Sequence, residues 1–144
     1  MIEQDTVKLL RECDAGITMG VSAIDDVVDS VESDELKIKL TVCRDEHQKL
    51  KSEVQSMLTR YQDEGKAPNP MAKGMSRMKT GAKMMMERSD RTAADLITDG
   101  CNMGVKSLNR YLNQYQAADE RSKDITKRLI NLEEKLAIDI RSFL

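Results

Sequence analysis

The amino-acid sequence predicts an all-α fold, an antiparallel four-helix bundle of two helical hairpins with an additional crossover helix. Charged residues make up 33% of the 144 residues and aromatic residues only 3%, a balance typical of helical proteins. Apolar residues recur over long stretches at alternating steps of three and four, the period of a helix packed in a bundle. Both prolines fall in one short break near the middle. The chain therefore forms a single domain over residues 1–144 with two pairs of helices.

The first helix is predicted over residues 2–32. Its inward-facing residues follow the three–four alternation: Leu10, Cys13, Ile17, Gly20, Ile24, Val27 and Val31. Ser33 or Asp34 then offers a side-chain oxygen that can cap the next helix. The link between the first two helices is very short, which makes them antiparallel neighbours.

The second helix is predicted over residues 34–64 and contains one unusual inward-facing residue. Its seam has the same alternation: Leu36, Leu40, Cys43, His47, Leu50, Val54, Met57 and Tyr61. His47 is the only histidine of the protein and interrupts an otherwise apolar row. A functional site in this protein would therefore centre on His47.

A basic, methionine-rich segment follows the proline-containing break at residues 65–70. A crossover helix is predicted over residues 71–88, which hold six Met and five Lys or Arg against one Glu. In one interpretation the methionines fill the groove between this helix and the bundle. In the other, its surface binds a protein partner. That candidate surface comprises Met75, Met78, Lys79 and Met85.

The third and fourth helices are predicted over residues 90–117 and 119–143. The third has inward residues at Ala93, Ile97, Cys101 (or Gly100), Gly104, Leu108, Tyr111 and Tyr115. The fourth has them at Ile125, Leu129, Leu132, Leu136, Ile140 and Phe143. The turn between them is weakly signalled, because residues 117–119 include neither Gly nor Pro. One continuous helix, as in a coiled-coil oligomer, is the alternative.

An internal repeat supports the division into two hairpins. Gly16–Val21 in the first helix matches Gly100–Val105 in the third at four of six positions. When the second helix is superposed on the fourth at nearly the same offset, Glu133 takes the place of His47. The two hairpins are thus interpreted as copies of one ancestral unit.

The chain resembles the ferritin-like superfamily over essentially its whole length. The residues that carry the resemblance are Met1–Leu10, Asp45–His47 and Asn69–Met75, and they are most similar to a bacterial branch without an established activity. The resemblance implies that a crossover runs the length of the bundle and makes the second and third helices parallel. It also implies a diiron centre in those members that keep a carboxylate on the first and third helices and Glu-x-x-His on the others.

This sequence lacks the complete diiron ligand set. His47 occupies the histidine position, but Arg44 instead of Glu lies three residues before it. On the fourth helix Glu133 follows Ile130, and no histidine is present. The matching inward positions of the first and third helices are glycines: Gly16, Gly20, Gly100 and Gly104. A conventional diiron oxidase is therefore not expected.

Two interpretations of the bundle centre remain. In the first, His47 is a core residue bonded to Glu133, the cysteines behave as small hydrophobes and the glycines permit close packing. No cofactor is expected in that case. In the second, Cys43, His47, Cys101 and Glu133 form a reduced, non-standard metal site for Fe or Zn. The first interpretation is favoured.

Composition excludes several classes of function. The net charge of −2 does not favour nucleic acid, and no apolar run approaches the length of a membrane span. Three cysteines without C-x-x-C spacing, and no signal peptide, predict a cytoplasmic protein. The leading prediction is a non-enzymatic structural or interaction protein that forms a homodimer. The alternative is a metal- or small-ligand-binding bundle with a redox or storage role.

Overall fold

A computed structural model describes residues 2–61 and 89–144. It contains four α-helices: α1 (Ile2–Val28), α2 (Asp34–Arg60), α3 (Asp90–Gln114) and α4 (Glu120–Ile140), the last followed by a 3₁₀ turn at Arg141–Phe143. No β-strand occurs in these two ranges. The all-α class is confirmed. The predicted crossover helix, and the partner surface on it, lie outside the described residues.

Side-chain caps begin three of the helices. The hydroxyl of Ser33 accepts a hydrogen bond from the backbone N–H of Leu36 at the start of α2. Ser89 at the start of α3 and Asp119 at the start of α4 accept equivalent bonds from residues three positions further on. Such caps satisfy N–H groups that have no partner within the helix.

The first helix ends earlier than predicted, at Val28 instead of residue 32. Its last turn tightens, because the N–H of Ser30 donates to the carbonyl of Val27. The N–H groups of Glu32 and Ser33 then leave the helical pattern. They donate to the two carboxylate oxygens of Asp90 at 2.8 and 2.9 Å. A tertiary contact thus fixes the turn between α1 and α2 against the start of α3.

A second tertiary contact separates α3 from α4, so the alternative of one continuous helix is wrong. The chain leaves α3 after Gln114 and α4 begins after Asp119. Within this turn the N–H of Ala117 donates to Asp5 at 3.0 Å and the N–H of Asp119 to Thr6 at 2.8 Å. The first turn of α1 therefore binds the turn between α3 and α4.

The four helices pack as a bundle with α1 and α4 each in contact with α2 and α3. Two apolar clusters fill its interior. The cluster beside the α1–α2 turn includes Ile24, Leu40 and Ile97, and the cluster at the other end includes Leu10, Val54 and Leu129. The predicted seams supply most of the buried residues. A short polar layer lies between the two clusters.

Candidate functional site

The polar layer is formed by side chains from α2 and α4. His47 is 1% exposed and Glu133 is 8% exposed. On α2, His47 lies between Cys43 in one apolar cluster and Leu50 in the other. His47 replaces one apolar residue of its predicted seam. Glu133 follows Leu132, the residue predicted to face inward, and is buried while Leu132 is only partly buried.

Both ring nitrogens of His47 lie against hydrogen-bond acceptors. Nδ1 is 2.8 Å from the backbone carbonyl of Cys43, one helical turn earlier, and Nε2 is 2.9 Å from Oε1 of Glu133. A carbonyl oxygen can only accept, so Nδ1 carries a hydrogen. The Glu133 carboxylate accepts in the same way from Nε2. With Glu133 ionised, both nitrogens carry a hydrogen, and the ring is the doubly protonated, cationic imidazolium.

The surroundings of His47 stabilise this cation. Burial lowers the pKa of His47, but hydrogen bonds with Cys43 and Glu133 and the negative charge of Glu133 raise it to about 10. At neutral pH the imidazolium and the Glu133 carboxylate form a buried ion pair. The pair joins α2 to α4.

A thiol completes the layer on the opposite side of Glu133. Cys101 of α3 is buried and interacts with the Glu133 carboxylate. Burial, together with the charge of Glu133 and a hydrogen bond to it, raises the pKa of the Cys101 thiol far above its ordinary value. Cys101 thus remains a neutral thiol, which is a poor nucleophile and a poor metal ligand.

Gly20 provides the space that the imidazole occupies. A Cβ atom on Gly20 would lie 3.0 Å from Nε2 of His47 and 3.5 Å from Oε1 of Glu133. A Cβ on Gly104 would lie 3.6 Å or more from the Glu133 carboxyl group, which is ordinary contact. The predicted inward positions of Gly16 and Gly100 are wrong, since a Cβ there would meet nothing within 4 Å. Only the second glycine of each repeat faces the polar layer.

The four residues predicted for a reduced metal site come together in this layer. Cys43 Sγ lies 3.5 Å from His47 Nδ1, and Glu133 lies between His47 and Cys101. Within residues 2–61 and 89–144, no group of three or more His, Cys, Asp or Glu side chains has an arrangement that could hold a metal ion. The metal site therefore stays a prediction.

Two features of the molecule escaped the sequence analysis. The carboxylate of Asp90 holds the α1–α2 turn, a contact that was not predicted. Ile38 and Val42 of α2 lie outside the seam and are exposed. Their spacing of four residues was visible in the sequence as an apolar pair on a polar face.

No family model, curated protein or solved structure matches this chain. Among the helices of the described ranges, none combines the length and apolar character that a membrane span requires. The function must therefore be inferred from the geometry of the polar layer and of the surface.

Proposed function

We propose that this chain is a non-enzymatic ferritin-like bundle with a structural or interaction role. The observation that carries the proposal is that both ring nitrogens of His47 are engaged in hydrogen bonds. Nδ1 donates to the carbonyl of Cys43, and in the imidazolium form Nε2 donates to the carboxylate of Glu133. The imidazolium has no lone pair left to accept a proton from a substrate or to bind a metal.

The positions of the helix ends support the ferritin-like arrangement. Asp90 at the start of α3 binds the turn that precedes α2. The 27 residues of α2 extend about 40 Å at 1.5 Å per residue. Ser89, just before α3, lies at the end of the bundle where α2 begins. Tyr61 follows the last residue of α2 and therefore lies at the opposite end. The helices α2 and α3 therefore run in the same direction, as the second and third helices of ferritin-like proteins do.

In this proposal the ion pair specifies how the two hairpins pack. His47 belongs to the hairpin of α1 and α2, and Glu133 to the hairpin of α3 and α4. A slip of either hairpin along the other would leave two charges buried without partners, at a cost of several kcal/mol. A polar group at one seam position is known to fix register in this way in coiled coils.

The alternative proposal, a small metal-binding bundle, is favoured only by the proximity of Cys43, His47, Cys101 and Glu133. A metal there would have to displace the proton on Nε2 of His47 and break its bond to Glu133. Since the pKa of His47 is raised to about 10, that displacement is unfavourable at neutral pH. The structural role requires no such step.

Elemental analysis separates the two proposals. Untagged protein purified without chelator is compared with His47→Ala by plasma mass spectrometry. A structural role predicts no stoichiometric iron or zinc in either protein. Stoichiometric metal in the unmodified chain that disappears in His47→Ala would contradict the proposed function and establish the metal site.

A further inference from the structure

We propose that two copies of this chain associate through one face of α2, with the two α2 helices antiparallel and Val42 on the two-fold axis. This inference rests on the proposed interaction role, for which it names the partner. The face, called here the α2 face, consists of residues that recur at helical spacing: Glu35, Ile38, Lys39, Val42, Glu46 and Lys49.

The centre of the α2 face is apolar and accessible to solvent. Ile38 is 62% exposed and Val42 is 53% exposed, although both belong to a helix whose seam is already buried in the bundle. They border a groove of about 210 Å³ between α2 and α4, which Leu132 and Leu136 of α4 also line. Neither side chain contributes to the core. Their burial against another surface would be favourable.

The charges on either side of this centre are complementary to a second copy in the antiparallel orientation. Glu35 and Lys49 lie seven residues before and after Val42, and they carry opposite charges. A two-fold axis at Val42 places Glu35 of one copy opposite Lys49 of the other, and the same pair forms twice. In a parallel pair Glu35 would lie opposite Glu35 and Lys49 opposite Lys49, and these like charges would repel each other.

A second pair of charges lies one residue out of register with this symmetry. Lys39 and Glu46 lie three residues before and four residues after Val42, on the groove between α2 and α4. In each copy Lys39 already bonds Glu35 at 3.2 Å, and Lys49 bonds Glu46 at 3.1 Å. The antiparallel orientation brings these two intrahelical pairs together. Two four-charge networks thus flank the apolar centre, and charges act more strongly in networks than as isolated surface pairs.

The proposal is tested by sedimentation equilibrium of the full chain over a wide range of concentrations. Unmodified protein should shift from 16.3 kDa toward twice that mass as concentration rises. Val42→Glu should abolish the shift. The matched control is Met103→Glu, because Met103 is 66% exposed and lies on α3 outside the proposed interface. This control should associate as the unmodified protein does, and circular dichroism should show unchanged helix content in both variants.

A charge exchange tests the orientation. Glu35→Lys and Lys49→Glu should each weaken association by about tenfold or more, since each change places two like-charged pairs in the dimer. The double variant Glu35→Lys/Lys49→Glu restores opposite charges and should bring the dissociation constant back to about that of the unmodified chain. If Glu35→Lys does not fold, the exchange of Lys39 and Glu46 provides the same test.

Three results would overturn the proposal: a monomer at every concentration, an equal effect of Val42→Glu and Met103→Glu, or failure of the charge exchange to restore association. None of these results bears on the proposed structural role of His47. That role is tested separately, by elemental analysis of the purified protein. Failure of the dimer and failure of the proposed function are therefore distinguishable.

Discussion

The imidazole of His47 and the carboxylate of Glu133 meet at 2.9 Å in the layer that separates the two apolar clusters of the bundle. The residues are 86 positions apart in the chain and belong to different hairpins. Their bond is a buried polar link between α2 and α4. It explains how a histidine and a glutamate are both accommodated in the buried centre of the bundle.

Removing one member of this pair should lower the free energy of unfolding more than replacing both members by apolar residues. Glu133→Gln leaves the buried imidazolium without its counter-charge and should lower the free energy of unfolding by about 3 kcal/mol. The double variant His47→Leu/Glu133→Met places apolar groups of similar volume in the layer and should recover most of that loss. Urea unfolding at pH 7 measures both. A double variant that is no more stable than Glu133→Gln would show that the two residues do not act as a pair.

Replacing the glycines by alanine tests how closely each one packs against its neighbours. Gly20→Ala should lower stability, because its Cβ would lie 3.0 Å from an imidazole that is held by hydrogen bonds at both nitrogens. Gly16→Ala and Gly100→Ala have open space and should raise stability by about 1 kcal/mol through helix propensity. Thermal unfolding of the three variants checks the order. A stabilising Gly20→Ala would mean that the imidazole is free to move.

Stability should fall as the pH rises above neutrality. The pKa of His47 is raised from 6.5 to about 10 by folding. Its contribution is thus fully present below pH 6.5 and is lost as the pH rises through about 10. Over this range the loss should be about 1 kcal/mol per pH unit. His47→Gln should remove this slope below pH ~8.5, where ordinary thiols begin to ionise. An unchanged slope in the variant would assign it to another group.

The contact between Asp90 and the α1–α2 turn should contribute measurably to stability. Asp90→Ala leaves the N–H groups of Glu32 and Ser33 without their acceptors and should cost about 1–3 kcal/mol. Asp99→Ala on the exposed side of the same helix serves as the control and should change stability by less than about 0.5 kcal/mol. Equal effects of the two substitutions would show that the carboxylate contact contributes nothing specific.

Much of the core followed from periodicity. The alternation of three and four residues placed His47 inside the bundle, because a seam position is defined by spacing alone. Glu133 was matched to His47 by the internal repeat instead, since the predicted row of the fourth helix contained Leu132, which is only partly buried. The same reasoning failed for Gly16 and Gly100. Each of them directly precedes a buried residue, Ile17 or Cys101, and successive residues lie about 100° apart around a helix, so both glycines are turned away from the polar layer.

The contacts at the two ends of the bundle could not be predicted from sequence. Asp90 is 57 and 58 residues from its partners, and Asp5 is 112 residues from Ala117. No local motif encodes an interaction at that distance. The turn between α3 and α4 was weakly signalled for the same reason, since α1 supplies the acceptors that hold it.

The ion pair requires that His47 is a buried cation with both nitrogens protonated. Because it is the only histidine in the chain, its ring ¹⁵N and ¹³C resonances can be assigned without ambiguity. A pH titration by nuclear magnetic resonance on labelled protein measures its protonation directly. We predict that both nitrogens remain protonated at pH 8, with a midpoint near 10. A midpoint near 6.5, or one unprotonated nitrogen at pH 7, would contradict the structural ion pair.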